Sequence, residues 1–133
     1  MDDIRVTFPG GLKVDVNIKN HIVHTDQPPH AGGGGEAPAP FDLFLASIAS
    51  CAGFYLLAFC RERKIDTAGA GVRMSLERDP ARRMISRVSL ELELPPGFPE
   101  KYHQAVVRAV DTCSVKAHIL TPPDFQISVK PAE

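Results

Sequence analysis

The sequence predicts a small α+β protein in which antiparallel strands pack around two main helices. Two regions show strict alternation of apolar and polar residues, which is typical of half-buried strands. A long apolar stretch in the middle of the chain and a shorter amphipathic one later predict helices. The strand patterns occur in adjacent pairs and do not alternate strictly with helices, so the class is α+β, with the order β-β-β-α-β-β-α-β.

The first strands lie in the N-terminal quarter of the chain. Apolar residues alternate from Ile4 to Phe8 and again from Leu12 to Ile18. Pro9-Gly10-Gly11 separates the two runs with residues that favour turns, so a hairpin is expected. A third strand is predicted at His21 to Thr25.

A connection rich in proline and glycine follows the third strand. Residues 26–40 read DQPPHAGGGGEAPAP, and neither a helix nor a strand is sustained by such a sequence. Loops of about fifteen residues are uncommon in compact domains and are often functional. This one leads directly into the apolar stretch, so we expect it to border the active site.

The apolar stretch predicts a helix from Pro40 or Phe41 to Lys64. Proline suits the first turn, and the basic residues near Lys64 suit the negative end of the helix dipole. At 100° per residue, Cys51 lies on the face opposite Cys60. The residues that share the face of Cys51 are Phe44, Ser47, Ile48, Phe54 and Tyr55.

The second half of the chain predicts another hairpin, a helix and a last strand. The hairpin strands are expected at Val72 to Leu76 and Val88 to Leu94. An amphipathic helix is expected from Pro99 to Val110, with Cys113 at its C-terminal end. After Pro122-Pro123, the alternating Phe125, Ile127 and Val129 predict a terminal strand.

Composition limits the compartment and the partners. The 133 residues fit a single domain, 1–133, and the net charge of −1 gives no attraction to nucleic acid. Residues 43–60 carry no charge and reach the lower limit for a membrane span, but the flanking strands favour a buried helix. Three cysteines without close spacing and an acidic start indicate neither a disulfide scaffold nor a signal peptide, so a cytoplasmic protein is expected.

The cysteines are the strongest candidates for chemistry. A peroxidatic cysteine requires a thiolate, partial access, and a second thiol that condenses with its sulfenic acid. Cys51 and Cys113 are able to supply the two thiols. Cys60 is expected to fill core space. A metal site formed by Cys113 and His118 with His24 or His30 is the alternative, but their spacing is unlike that of zinc sites, and we expect no metal or other cofactor.

Two segments of the chain resemble a known family. The run PAPFDLFLASIASCAGFYLLAFCRERKID and the later AVDTCSVKAHI resemble the OsmC/Ohr family of thiol-dependent hydroperoxide reductases, in a divergent OsmC-like branch. The resemblance extends over most of the chain. It implies an OsmC-like fold and an intertwined homodimer with two sites at the subunit interface.

The resemblance also implies a function and roles for the cysteines. Cys51 matches the reactive cysteine and Cys113 the resolving one. An organic hydroperoxide would oxidise Cys51, a Cys51–Cys113 disulfide would form, and an external dithiol or lipoyl group would reduce it. The apolar side chains around Cys51 that suit such a substrate are Phe41, Phe44, Ile48, Phe54 and Tyr55.

The sequence departs from the family near the thiolate. In the hydroperoxide-resistance branch a glutamate follows the helix-opening proline and holds an arginine against the reactive cysteine. Here Phe41 follows Pro40, Asp42 comes one place later, and no arginine occurs between Arg5 and Arg61. Arg5, His30 and Asp42 are therefore the candidates for activating or positioning groups. The alternative function is a non-catalytic dimer that binds a small hydrophobic ligand at its interface.

Overall fold

The structure is a computed structural model that describes residues 3–132. It divides into two compact units, residues 1–47 and residues 48–133. Helix α1 (Pro40–Glu62) begins in the first unit and continues into the second.

The first unit contains a three-stranded antiparallel sheet. Its strands are β1 (Arg5–Gly10), β2 (Lys13–Ile18) and β3 (His21–Thr25), in the order β1-β2-β3. All three strands were predicted from the sequence, the first two from the alternation of apolar and polar residues. Lys19 and Asn20 form the two-residue turn between β2 and β3 with φ values of 45° and 63°. Two positive φ angles in succession are typical of a type I′ turn, which matches the twist of the strands.

Asp26 organises the glycine-rich loop after β3. Its side chain is 1% exposed, and its carboxylate accepts hydrogen bonds from the backbone N–H groups of Gln27 at 2.7 Å and Glu36 at 3.1 Å. Its own N–H donates to the carbonyl oxygen of Pro38 at 3.2 Å. Gly33 is needed for close packing, because a Cβ there would overlap the carbonyl of Gln27. Residues 26–40 are therefore an ordered loop folded around one carboxylate.

The second unit combines a hairpin with helices. Strands β4 (Gly71–Asp79) and β5 (Met84–Glu93) pair antiparallel. A 3₁₀ turn at Glu100–Tyr102 leads into α2 (His103–Asp111), and α3 (Ser114–Leu120) follows directly. The predicted hairpin and amphipathic helix are confirmed.

The core of this unit lies where α1 meets α2. Its buried residues are Ala52, Leu56, Phe59, Cys60, Val106 and Val110. Val72 and Leu92 from the hairpin pack against this cluster, and the Phe59 ring lies 5.8 Å from that of Tyr102. Cys60 is fully buried, which confirms the expectation that it fills core space. The core fixes the face that α1 turns inward, and so the position of Cys51.

Two predictions at the C-terminal end are wrong. The terminal strand at Phe125 to Val129 is not formed, since residues 122–132 have no helix or strand. A strand requires a hydrogen-bonded neighbour, and the alternating side chains of this segment are exposed instead. Helix α3 was not predicted, and Cys113 is its N-cap and not simply the end of α2.

Helix α1 is the one helix in residues 3–132 that is long and apolar enough to cross a membrane. Length and composition alone are weak evidence, because core helices of soluble proteins meet the same test. Leu56 and Phe59 of α1 are buried in the core of the second unit. This contact accounts for the apolar character of that face.

Asp26→Asn should destabilise the protein in a pH-dependent way. The N–H groups of Glu36 and Gln27 hold the pKa of Asp26 below its usual value of 3.8. Its contribution to stability is therefore present above that value and is lost as the pH falls through the lowered folded-state pKa. We expect a lower melting temperature for the variant at pH 7 and a smaller difference from the native chain at pH 3. The control is Asp124→Asn, in the segment without secondary structure. If the melting temperature of Asp26→Asn differed from that of the native chain by the same amount at both pH values, this role of Asp26 would be contradicted.

Candidate functional site

The structure brings Cys51 and Cys113 together. Cys51 lies in the interior of α1 and is partly exposed, whereas Cys113 is buried with 5% exposure at the start of α3. Their side chains are hydrogen-bonded, and neither cysteine is in a disulfide. The two sulfurs that the sequence singled out therefore form one site in the second unit.

The surroundings of Cys51 favour its thiolate. The Cys113 thiol is the main cause of a lowered pKa of Cys51, because it donates a hydrogen bond to the sulfur. The backbone N–H groups of Val115 and Ser114 and the Ser114 hydroxyl lower this pKa further. Burial acts in the opposite direction, but it is outweighed. No cation is among these stabilising groups, so hydrogen-bond donors take the place of a positive neighbour.

The pKa of Cys113 is shifted in the opposite direction. Burial raises the pKa of its thiol, and the hydrogen bond that it donates to Cys51 raises this pKa further. At a pH between the two pKa values, the proton resides on Cys113 and the charge on Cys51. This arrangement provides one nucleophilic sulfur and one protonated neighbour.

Cys60 lies outside this pair. Burial raises the pKa of its thiol, and the nearby charge of Arg63 only partly offsets that effect. A buried thiol with a raised pKa is a poor nucleophile. Cys60 is therefore a suitable internal control for the reactivity of the other two cysteines.

The predicted activating residues all lie in the first unit. Arg5 is exposed and forms an ion pair with Asp3 at 3.9 Å. The carboxylate of Asp42 accepts a hydrogen bond from the N–H of Ala39 at 3.0 Å, which caps the start of α1. His30 lies in a 3₁₀ turn at Pro29–Ala31. Their roles toward Cys51 stay predictions.

The predicted aromatic residues form two contacts along α1. The rings of Phe41 and Phe44 are 5.4 Å apart, and both side chains are exposed. Phe54 is exposed and meets Tyr55 edge to face at 5.6 Å, while Tyr55 packs against the core. Their role in binding a substrate also stays a prediction.

An apolar cavity of about 390 Å³ lies beside Cys113 in the second unit. Of the predicted pocket residues, Ile48 is part of its lining. Its walls come from α1, β5, α2 and α3: Ile48, Ala52, Val88, Leu90, Leu92, Val107, Val110, Asp111, Cys113, Lys116 and Ile119. Asp111 and Lys116 are the charged members, and they form an ion pair with each other. Of the two cysteines of the site, Cys113 is part of this lining and Cys51 is not, so the cavity reaches the site on the side of Cys113.

Ser114 and the Asp111–Lys116 pair were not predicted as parts of the site. The signal for α3 was the short run between Cys113 and Pro122, which has no glycine or proline. A helix beginning there would have placed the N–H groups of Ser114 and Val115 near the second cysteine. That they meet Cys51 follows only from the packing of α3 against α1.

No group of three metal-binding side chains occurs within residues 3–132. His118, one candidate ligand, instead has its Nδ1 2.6 Å from the carbonyl oxygen of Ser114. His24, another, has its Nδ1 2.9 Å from Asp15 in the first unit.

A family model described as OsmC-like protein matches residues 33–128, which include Cys51, Cys113, the residues that line the cavity and the second half of the glycine-rich loop. The chain belongs to this OsmC-like family. The resemblance inferred from the residues around Cys51 and Cys113 is thus confirmed, and so is the α+β class. A search among curated proteins gave no significant match.

Solved structures agree with this assignment. An osmotic stress induced and detoxification response protein from Psychrobacter arcticus 273-4 is 27% identical, with a TM-score of 0.73 over 88% of this OsmC-like chain and 87% of that one. The organic hydroperoxide resistance protein OsmC from Legionella pneumophila is 19% identical, with a TM-score of 0.56 and coverage of 90% and 88%. OhrB of Bacillus subtilis, an organic hydroperoxide resistance protein, is 20% identical, with a TM-score of 0.51 and coverage of 89% and 90%. The last two likenesses concern the fold alone.

Replacing Cys113 should change the pH at which Cys51 reacts. Because the Cys113 thiol is the main donor to Cys51, Cys113→Ala should raise the pKa of Cys51 toward its usual value of 9.0. Cys113→Ser retains a donor and should raise this pKa less, and Ser114→Ala should also have a smaller effect. The pKa is measured from the rate of iodoacetamide labelling of the Cys51 peptide against pH, with Cys60→Ala as the control. Identical profiles for Cys113→Ala and the native chain would contradict the assignment.

Proposed function

We propose that this OsmC-like protein is a thiol-dependent peroxidase that reduces organic hydroperoxides through Cys51 and Cys113. The observation that carries this proposal is the hydrogen bond between the two sulfurs, with the proton on Cys113 and a lowered pKa at Cys51. The match of the OsmC-like family model to residues 33–128, which contain both cysteines, is consistent with this proposal.

In the first step, the Cys51 thiolate attacks the distal oxygen of the hydroperoxide. The S–O bond forms as the O–O bond breaks, the hydroxyl stays on the Cys51 sulfur, and the alkoxide that leaves takes a proton from water to become the alcohol. Cys51 is then a sulfenic acid. The buried Cys113 keeps its proton until this stage, so the less acidic thiol does not compete for the peroxide.

In the second step, the Cys113 sulfur attacks the sulfenic acid and water leaves. The existing contact between the two side chains means that this step needs no large rearrangement. The product is a Cys51–Cys113 disulfide. An external dithiol or lipoyl group would reduce it by two successive thiol–disulfide exchanges, each passing through a mixed disulfide.

The cavity supports an apolar substrate. Its walls are mostly aliphatic side chains, and each buried CH₂ group contributes about 0.8 kcal/mol to binding. An alkyl or aryl hydroperoxide would gain this contribution and hydrogen peroxide would not. Phe41, Phe44, Phe54 and Tyr55 remain candidates for further contacts with such a substrate.

The proposed working form is a cytoplasmic homodimer built from a single OsmC-like domain per chain. Members of the OsmC/Ohr family are typically dimeric. Large apolar side chains such as Phe8, Ile127 and Val129 are exposed in the single chain, as expected for surfaces that another subunit covers. An intertwined partner would also supply the neighbour that residues 125–129 need to form a strand. Arg5 and His30 are candidates to approach Cys51 in that assembly.

The peroxidase proposal is tested by the consumption of cumene hydroperoxide in the presence of dithiothreitol. We expect turnover by the native chain and by Cys60→Ala, and only the background rate for Cys51→Ser. In Cys113→Ser the sulfenic acid should persist and be trapped by dimedone on the Cys51 peptide, because no resolving thiol is present.

Background rates in both the native chain and Cys60→Ala would contradict this function. If native mass spectrometry then showed a retained apolar molecule, the alternative of a non-catalytic OsmC-like binding protein would replace it. The cavity beside Cys113 is the observation that favours this second function.

A further inference from the structure

The hydrogen-bonded pair of Cys51 and Cys113 brings two thiols into contact and leaves the remaining cysteine of the chain apart from them. Both thiols of the pair are free of a disulfide. Cys60 lies on the opposite side of α1 and is fully buried in the core. Among residues 3–132, no group of three side chains is arranged to hold a metal ion. A ligand that reacts with thiols therefore meets two of them at this site.

The number of thiols limits the kind of atom that the pair is able to hold. A zinc ion takes four ligands in a tetrahedron, so two sulfurs leave half of its coordination sphere unfilled. Thiolates are soft ligands that favour soft acceptors, and trivalent arsenic is one. An arsenic atom with one carbon substituent has two exchangeable hydroxyl groups, so two thiols replace both. Inorganic arsenite has three, and two thiols leave one in place.

The spacing of the two sulfurs suits a bridge of one atom. The sulfurs of a disulfide are about 2.05 Å apart. Sulfurs that share a hydrogen bond lie farther apart than this, as do two sulfurs bound to the same arsenic atom. A bridging arsenic atom therefore requires less movement of Cys51 in α1 and Cys113 at the start of α3 than a disulfide does.

We propose that Cys51 and Cys113 form a capture site for trivalent organoarsenicals of the form R–As(OH)₂, held as a chelate through two As–S bonds. The site requires two neighbouring thiols but no turnover, so the proposal does not rest on the peroxidase function. If that function is present, one bound arsenical per chain blocks it, because both reacting sulfurs are occupied.

The protonation of the pair suits this reaction. The Cys113 thiol holds the pKa of Cys51 below its usual value, and Cys51 is partly exposed, so the Cys51 thiolate attacks arsenic first and a hydroxide ion leaves. Cys113 then attacks the same arsenic atom, and its proton leaves with the second hydroxide as water. Two As–O bonds are replaced by two As–S bonds. Arsenic stays trivalent and neither sulfur is oxidised, so no further reactant is needed.

Phenylarsine oxide, which is hydrated to this form in water, tests the site in the full-length reduced protein without any peroxide. We expect one phenylarsenic group per chain by intact mass. Digestion without reduction should recover the Cys51 and Cys113 peptides joined through arsenic and the Cys60 peptide unmodified. Excess dimercaptopropanol should release the arsenic, whereas the same concentration of mercaptoethanol should not, because a monothiol forms no chelate.

Variants separate chelation from reaction at a single thiol, with affinity measured by competition with dimercaptopropanol. Cys113→Ser and Cys51→Ser each retain one thiol of the pair, so each should bind phenylarsine oxide about 100-fold more weakly than the native chain, as expected when a second linked contact is lost. Cys60→Ala should bind like the native chain. Inorganic arsenite should bind the native chain more weakly than phenylarsine oxide, since its third hydroxyl is not replaced.

Three outcomes would overturn the proposal. Native affinity in Cys113→Ser would show that one thiol accounts for binding. Loss of binding in Cys60→Ala, with arsenite bound as tightly as phenylarsine oxide, would show a site of three thiols. No uptake of arsenic by the reduced native chain would show that the two sulfurs do not bridge one atom. Turnover of cumene hydroperoxide in that last case would leave the peroxidase function standing, and uptake without turnover would remove that function alone.

Discussion

The chemistry of this protein depends on one hydrogen bond between two thiols. Cys51 lies within a long helix, and no cation accounts for its lowered pKa. The Cys113 thiol lowers it instead, with help from the N–H groups of Ser114 and Val115. Without this contact Cys51 would lose the main cause of its lowered pKa, and the peroxidase proposal would lose its main physical support.

The same contact assigns different roles to two chemically identical groups. Cys113 is the more buried of the two and donates the hydrogen bond, so its pKa is raised while that of Cys51 is lowered. The thiol that lowers the pKa of Cys51 is also the proposed partner in the disulfide. Cys113 would thus both activate Cys51 and resolve its sulfenic acid. Replacing a guanidinium by such a donor would explain how the site is built in a chain with no arginine between positions 5 and 61.

Much of the fold was predictable because local patterns determine it. Alternating residues predicted both hairpins, and the uncharged stretch from Leu43 to Cys60 predicted α1 and the inward position of Cys60. The site was predictable only in part. Residue types and family resemblance singled out Cys51 and Cys113, but the donors at Ser114 and Val115 depend on α3, whose seven residues give too weak a helical pattern. The cavity is formed by the packing of four elements, which the local sequence does not determine. Among the residues predicted to share the helix face of Cys51, only Ile48 lines it. The strand expected at Phe125 to Val129 failed because alternation alone does not supply a partner strand.

Disulfide mapping after oxidation shows whether Cys51 and Cys113 react as a pair. The reduced protein is treated with one equivalent of cumene hydroperoxide, the remaining thiols are alkylated, and peptides are separated without reduction. We expect a bridge between Cys51 and Cys113, with Cys60 recovered as the alkylated thiol. Recovery of Cys51 as an alkylated thiol, or a bridge that includes Cys60, would contradict it.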